Sequence, residues 1–248
     1  MNDEEIRYAI IIGINDYETS PLKFCVNDAI DLKKNLIDNC MFYDENIFMI
    51  TSENGNTIKD ITGRYMESIR KIKENFRAEK DSILFYFAGH GGSKDGKSLI
   101  CFQESNYPIE DIFNNISLLR PRIQTYIIDS CESGNKVLTR NKDSELKNYI
   151  KNSNGAMFLY ACQNTETAQE LSDLEHGLLT YKILEAIDKQ SLYDEDGYLT
   201  FSRIVEYVQK EISSFSDFKQ IPVMENNITG FYPFAMKKNK IDMKNVED

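Results

Sequence analysis

Ser82-Ile83-Leu84-Phe85-Tyr86-Phe87-Ala88 is an almost unbroken apolar run, and it leads directly into Gly89-His90-Gly91-Gly92. A run of this kind, without the alternation of a half-buried strand, is the pattern of a strand covered on both faces. Its exit is unusual, an imidazole set between glycines. Similar runs lie on either side of it in the chain, at Tyr8 to Ile14, Asn46 to Thr51, Thr125 to Asp129 and Ala156 to Ala161. Between them, apolar residues recur every three or four positions. The spacing predicts helices over 25–39 (Ala29, Leu32, Leu36), 58–76 (Ile61, Tyr65, Ile69, Ile72, Phe76), near 176–188 and over 201–214. Strand and helix in alternation imply an α/β fold, a mostly parallel sheet with helices packed on it. Gly92 to Lys97 reads as an exposed turn. Glu132 to Lys147 is polar, with little periodicity, and reads as a loop.

No composition break demands a second domain. The expected organisation is one domain over residues 1–235 followed by a polar tail, 236–248. A chain of 248 residues buries enough surface to need no disulfide or metal staple. The net charge of -11 opposes binding to nucleic acid and to anionic lipid, both polyanions, and suits basic peptides. The five cysteines form no CxxC pair and are widely spaced, which points to reduced thiols and a cytoplasmic location. The acidic start, Met1-Asn2-Asp3-Glu4-Glu5, lacks the apolar core of a signal peptide. No apolar run approaches the roughly 20 residues needed to cross a bilayer. There is no Walker-A loop, no dinucleotide-binding glycine fingerprint and no zinc spacing, so no metal site or cofactor is expected.

In an open α/β sheet, ligands gather beyond the carboxyl ends of the strands. Two runs end there in reactive residues: the one carrying His90, and Thr125 to Asp129, which continues Ser130-Cys131-Glu132-Ser133-Gly134. Each residue alone has a plainer reading, Cys131 as a small buried hydrophobe and His90 as part of a turn. If the two strands are parallel neighbours, a thiol and an imidazole meet at one edge. The imidazole then stabilises the thiolate and returns a proton to a leaving group. Gly89 and Gly91 let the backbone turn and a substrate approach. The backbone N–H groups of Gly91 and Cys131 are candidate oxyanion donors, one such donor being worth about 3–4 kcal/mol of transition-state stabilisation. Asp129 and Glu132 beside Cys131 work against the thiolate, which makes the imidazole more necessary.

Tyr86-Phe87-Ala88-Gly89-His90-Gly91 resembles the histidine signature of the clan of caspases, metacaspases and bacterial caspase-like peptidases, and Asp129-Ser130-Cys131-Glu132-Ser133-Gly134 resembles its nucleophile motif. Ile12-Gly13-Ile14-Asn15-Asp16-Tyr17, Asn27-Asp28-Ala29, Tyr160-Ala161-Cys162-Gln163, His176-Gly177-Leu178-Leu179-Thr180 and Gln220-Ile221-Pro222 are similar to supporting segments of that clan. The resemblance covers about residues 7 to 235. It implies a caspase-like three-layer sandwich and a cysteine endopeptidase working through a Cys131–His90 dyad and a thioester acyl-enzyme. Asp129, two places before the cysteine, follows the metacaspase pattern, and animal caspases differ there. By that resemblance Asp28 and Asp129 line an acidic pocket that selects Arg or Lys, an arrangement suited to a bidentate guanidinium. The plainer readings are a helix-start carboxylate for Asp28 and a strand-end carboxylate bonded to backbone N–H groups for Asp129. Glu132 stands where metacaspases commonly have histidine.

His176, the other histidine, reads as a capping or surface residue at a helix start. Asp194-Glu195-Asp196-Gly197 lacks the downstream ligands of an EF-hand and reads as a turn. Some metacaspases depend on calcium, so the resemblance leaves calcium dependence open. Bacterial relatives act in stress or antiviral defence, which implies an activating partner or small-molecule signal. The competing reading is a caspase-fold signalling or binding module, latent until such a partner binds.

The polar loop that follows Cys131 contains Lys136, Arg140 and Lys142. An enzyme selecting basic residues would cut itself there, after Arg140 for example. Fragments mapped by mass spectrometry are expected from wild-type protein and not from Cys131→Ala. Intact chains in an otherwise active sample would rule self-cleavage out.

Overall fold

A computed structural model describes residues 4–52, 60–95, 97–132, 155–160, 170–171, 174–214, 222–228 and 230–237; at 131–132 and 170–171 the description covers the backbone. Its strands are β1 (Arg7–Gly13), β2 (Ile47–Thr51), β3 (Ser82–Lys94), β4 (Lys97–Cys101), β5 (Asn106–Pro108), β6 (Gln124–Glu132), β7 (Ala156–Tyr160), β8 (Glu170–Leu171), β9 (His176–Gly177), β10 (Tyr198–Thr200), β11 (Val223–Asn226) and β12 (Pro233–Met236). The helices are α1 (Cys25–Asn39), α2 (Ile61–Asn75), α3 (Ile109–Ser117), α4 (Leu178–Asp188) and α5 (Phe201–Ser214).

The main sheet runs β11-β7-β6-β3-β1-β2. Every pairing from β7 to β2 is parallel, and β11 adds an antiparallel edge. The apolar runs explain this order. Alternate residues of each buried strand feed opposite faces, so both faces become cores. Ala9, Ile11, Leu84, Tyr86 and Leu159 pack on one side with residues of α1, α4 and α5. Ile10, Ile12, Phe85, Phe87, Tyr126 and Phe158 pack on the other with residues of α2 and α3. This is the expected three-layer α/β sandwich. The aromatics on the second face interlock: Phe113 meets Tyr126 edge-on at 4.7 Å, and Tyr126 stacks on Phe158 at 4.6 Å. Arg7 is buried at the start of β1 and donates to the carbonyls of Cys40, Pro233 and Phe234, tying β12 to the first strand.

The structure departs from expectation at one exit. Gly92 to Lys97 is not simply an exposed turn: β3 continues through Gly89, His90 and Gly91 to Lys94 and folds back as a hairpin on β4, which pairs in turn with β5. The reversal is tight, with Asp95 in the left-handed region at φ 49°. Between β5 and β6, where the runs above suggest no element, α3 forms. Its Ile109, Ile112, Phe113 and Ile116 are all buried, a short helical stripe on the second face. Residues 133–154, expected above to begin as a loop, the segments around Cys162 and Ile221, and residues 238–248 lie outside the described residues. Among the described residues no helix is long and apolar enough to cross a membrane.

Gly13 closes β1 against α1, and the contact leaves no room for a side chain. A β-carbon there would overlap the Cys25 carbonyl oxygen and the Ala29 β-carbon. Gly13→Ala is therefore expected to cost about 1–3 kcal/mol, as overpacked cores do, read as a lower urea midpoint with unchanged m-value.

Candidate active site

The exits of β3 and β6 are adjacent and parallel. Their register pairs Ala88 with Asp129, Gly89 with Ser130, His90 with Cys131 and Gly91 with Glu132. Register partners on neighbouring strands are separated by one inter-strand spacing, roughly 4.8 Å, so the backbone brings His90 and Cys131 together at one point of the sheet edge. Gly91 sits between two strands, opposite Glu132 of β6 and Ile100 of β4.

His90 is held by contacts the sequence did not signal. Its Nε2 lies 2.6 Å from the carbonyl oxygen of Ser20. A carbonyl only accepts, so Nε2 carries the hydrogen, and the neutral ring has its lone pair on Nδ1. Ser20 itself adopts a left-handed conformation, φ 60°. The Tyr17 ring packs on the imidazole with centroids 4.4 Å apart. The Tyr17 hydroxyl accepts from the backbone N–H of His90 and donates to the Cys101 carbonyl, each at 2.9 Å. A β-carbon on Gly89 would overlap that hydroxyl. The glycine before the histidine therefore serves close approach of Tyr17; the strand does not turn there.

Asp28, from α1, and Asp129, from β6, converge on Gly177. A β-carbon at Gly177 would lie 2.9 Å from Asp129 Oδ2 and 3.0 Å from Asp28 Oδ2. Both carboxylates are buried, 1% and 6% exposed, and both serve the start of α4. The Gly177 N–H donates to Asp28 at 3.1–3.2 Å, and the Thr180 N–H donates to Asp129 Oδ2 at 3.2 Å. These are donors that a helix N-terminus leaves unpaired, and the positive end of the helix favours anions there. The Thr180 hydroxyl donates to Asp129 Oδ2 at 2.6 Å and accepts from the Tyr86 hydroxyl at 2.7 Å. Asp28 lies in the first turn of α1, yet its carboxylate reaches across to β9 and α4. Asp129 does bond to a backbone N–H, as its plainer reading holds.

His176 departs from the capping or surface role expected of it. It is largely buried, with Nδ1 2.7 Å from Asp28 Oδ1 and Nε2 3.3 Å from Asp31 Oδ2. Burial pushes the Asp28 carboxyl up to about 7, against the pull of His176, with Asp129 adding repulsion and Gly177 opposing it. Burial likewise raises Asp129, against the two Thr180 bonds. His176 is raised chiefly by its hydrogen bond to Asp28, against desolvation, with further help from Asp28, Asp31 and Glu175. Asp194 accepts from Tyr198 and Gly197 around a turn, as expected. Among the described residues no group of three or more His, Cys, Asp or Glu side chains is arranged to hold a metal ion.

Comparison with known families matches residues 6–232 to the family model described as the caspase domain. Similar curated proteins include Metacaspase-3 of Arabidopsis thaliana, 26% identical over 214 residues, which is 72% of this chain and 59% of that protein. Metacaspase-1 of Eremothecium gossypii is 26% identical over 145 residues, 52% of this chain and 32% of its own length. Metacaspase-1B of Aspergillus terreus is 27% identical over 144 residues, 52% and 38%. The matched chain thus spans about a third to three-fifths of those relatives.

The acidic cluster has a consequence for stability. A folded carboxyl raised above its ordinary value keeps a proton the unfolded one has lost. Asp28's contribution is therefore full below 3.8, the ordinary value of an aspartate, and drains away as pH rises to about 7. His176 acts in the same direction: its stabilisation is full below 6.5 and is lost as pH passes its raised folded value. Relative to wild type, Asp28→Asn is expected to gain on the order of 2 kcal/mol between pH 5 and pH 8. Urea midpoints measured across that range check it; a constant difference would contradict the assignment.

Proposed function

Because this chain belongs to the caspase-domain family, a family of cysteine endopeptidases, we propose that it cleaves peptide bonds after Arg or Lys with Cys131 as nucleophile and His90 as its base. The single observation that carries this reading is the pairing of His90 with Cys131 in the β3–β6 register. The Ser20 bond adds direction, because it leaves Nδ1 as the basic nitrogen. In the proposed reaction, Nδ1 takes the thiol proton and the Cys131 thiolate attacks the scissile carbonyl carbon. The backbone N–H groups of Gly91 and Cys131 receive the developing oxyanion. Collapse expels the amine, which leaves with the proton from His90, and a thioester remains. Water then attacks the thioester, giving a proton to His90. The tetrahedral species releases the carboxylate product, and the thiol is restored.

Asp28 and Asp129 supply the basic-residue preference. Two carboxylates meeting at one glycine in a desolvated site suit a guanidinium or an ammonium better than any neutral side chain. The metacaspase likeness supports the same preference. A cytoplasm-like, reducing setting fits Cys25, Cys40 and Cys101, which form no disulfide among the described residues. The proposal extends to activation by a partner or small-molecule signal in stress or antiviral defence, on the resemblance to bacterial caspase-like peptidases.

Fluorogenic peptides ending in Arg, Lys or Asp test the reading, with and without calcium. Wild type is expected to cleave after Arg or Lys. Cys131→Ala and His90→Ala should each lose at least about a thousandfold in kcat. Asp28→Asn and Asp129→Asn should lower kcat/KM for Arg substrates about thirtyfold or more, the cost of unpairing a buried charge. Cleavage after Asp would overturn the pocket assignment. Silence of the pure protein towards all three peptides would move the reading to a latent module and the search to its activator.

A further inference from the structure

The pocket proposed for a basic side chain already contains one. His176 enters from β9, and each of its ring nitrogens faces a carboxylate oxygen, Asp28 Oδ1 at 2.7 Å and Asp31 Oδ2 at 3.3 Å. An ionised carboxylate only accepts hydrogen bonds, so both contacts are satisfied together when both ring nitrogens carry hydrogen. The side chain is 14% exposed, and that of Asp28 2%.

The surrounding groups favour the same state. Asp28 and Asp31 come from α1, and Glu175 immediately precedes β9. Asp129 reaches the same glycine, Gly177, from β6. From α4, the Tyr181 ring lies 6.2 Å from the imidazole, and the nearby cation Lys182 is held by Glu185 at 2.6 Å. From β3, the Tyr86 hydroxyl is bonded to Thr180. Three of these carboxylates act on His176 directly, and Asp129 acts through Asp28.

We infer that His176 is the resident counter-ion of this pocket, and that binding of an Arg or Lys side chain against Asp28 and Asp129 expels a proton from the Asp28–His176 pair to solvent. This rests on the proposed reading of the two aspartates as the basic-residue pocket. A second cation beside Asp28 repels the imidazolium, or replaces the proton on the carboxyl. Either way, one proton leaves as one cation arrives. Affinity for the basic residue then rises with pH through the range in which the free pair titrates. Asp28, pushed up to about 7, puts that range near neutrality, and His176 is raised in the same direction. His176 acts as a specificity-setting residue through Asp28; it touches no reacting atom.

The chain has two histidines, so their imidazole signals can be followed individually by nitrogen NMR of the full-length protein, assigned by the signal lost in His90→Gln. The probe is agmatine, which offers a guanidinium and no scissile bond. Saturating agmatine is expected to lower the His176 titration midpoint by about one pH unit. By linkage, agmatine should bind about tenfold more tightly at pH 8.5 than at pH 5.5. Asp129→Asn, which leaves the His176 contacts in place, should weaken agmatine binding at every pH. An unmoved His176 midpoint together with an agmatine affinity equal at pH 5.5 and pH 8.5, with agmatine bound in a manner sensitive to Asp129→Asn, overturns the inference and leaves the pocket reading standing. Agmatine binding that is absent, or indifferent to both Asp129→Asn and Asp28→Asn, overturns the pocket reading itself.

Discussion

Parallel pairing of β3 with β6 sets Ala88 opposite Asp129 and His90 opposite Cys131. A one-residue slip in either strand would turn every side chain of that strand to the other face, exchanging the residues that fill the two cores. Both faces are packed, so the register has no freedom: Tyr86 and Ile127 belong to one core, Phe85, Phe87, Tyr126 and Ile128 to the other. The chemistry at the exits inherits its alignment from apolar residues several positions upstream. Packing within the strands thus does the positioning that a loop-borne dyad would need its own contacts to achieve.

The acidic pair depends on the same sheet and on one helix. Asp129 leaves β6 and meets Thr180 in the first turn of α4, while Asp28 comes from α1 and takes the Gly177 N–H. The helix obtains its N-terminal acceptors from two distant parts of the chain, and the carboxylates obtain partners that make their burial tolerable. Capping and the proposed substrate recognition are therefore compatible roles. A buried carboxylate already bonded on one side is preorganised to accept a cation on the other, and neither aspartate needs to move.

How much of this could be read from the sequence follows from how local each signal is. Buried parallel strands announce themselves as apolar runs, so β1, β3, β6 and β7 and their order with α1 and α2 were readable, as was the placing of His90 and Cys131 at strand exits. The hairpin of β3 with β4 was not, because its residues are glycine, serine and lysine, the composition of a turn. Helix α3 does carry an apolar stripe, Ile109, Ile112, Phe113 and Ile116, but over only nine residues, where a helical period is hard to separate from chance. The partners of the site were hidden for a different reason. Ser20 acts through its main chain, Tyr17 reaches across some seventy residues, and His176 meets Asp28 at a separation of 148. Nothing in residue type encodes such contacts. His176 beside a helix start looks like a cap until the fold puts α1 against it.

The acidic flank of Cys131 raises an electrostatic problem. A full negative charge at Asp129, two residues from the proposed nucleophile, would hold its thiol in the protonated form. The observed surroundings reduce that charge. Burial raises the proton affinity of Asp129, and two hydrogen bonds from Thr180 spread the charge that remains. On the proposed reading, a basic side chain arriving at Asp28 and Asp129 neutralises what is left, at the moment when the scissile bond is in place. Filling the pocket and favouring the thiolate then become one electrostatic event, because Asp129 stands two residues from Cys131 in β6. On that reading, the acidic flank keeps the thiol quiet in the free protein until a basic residue is bound.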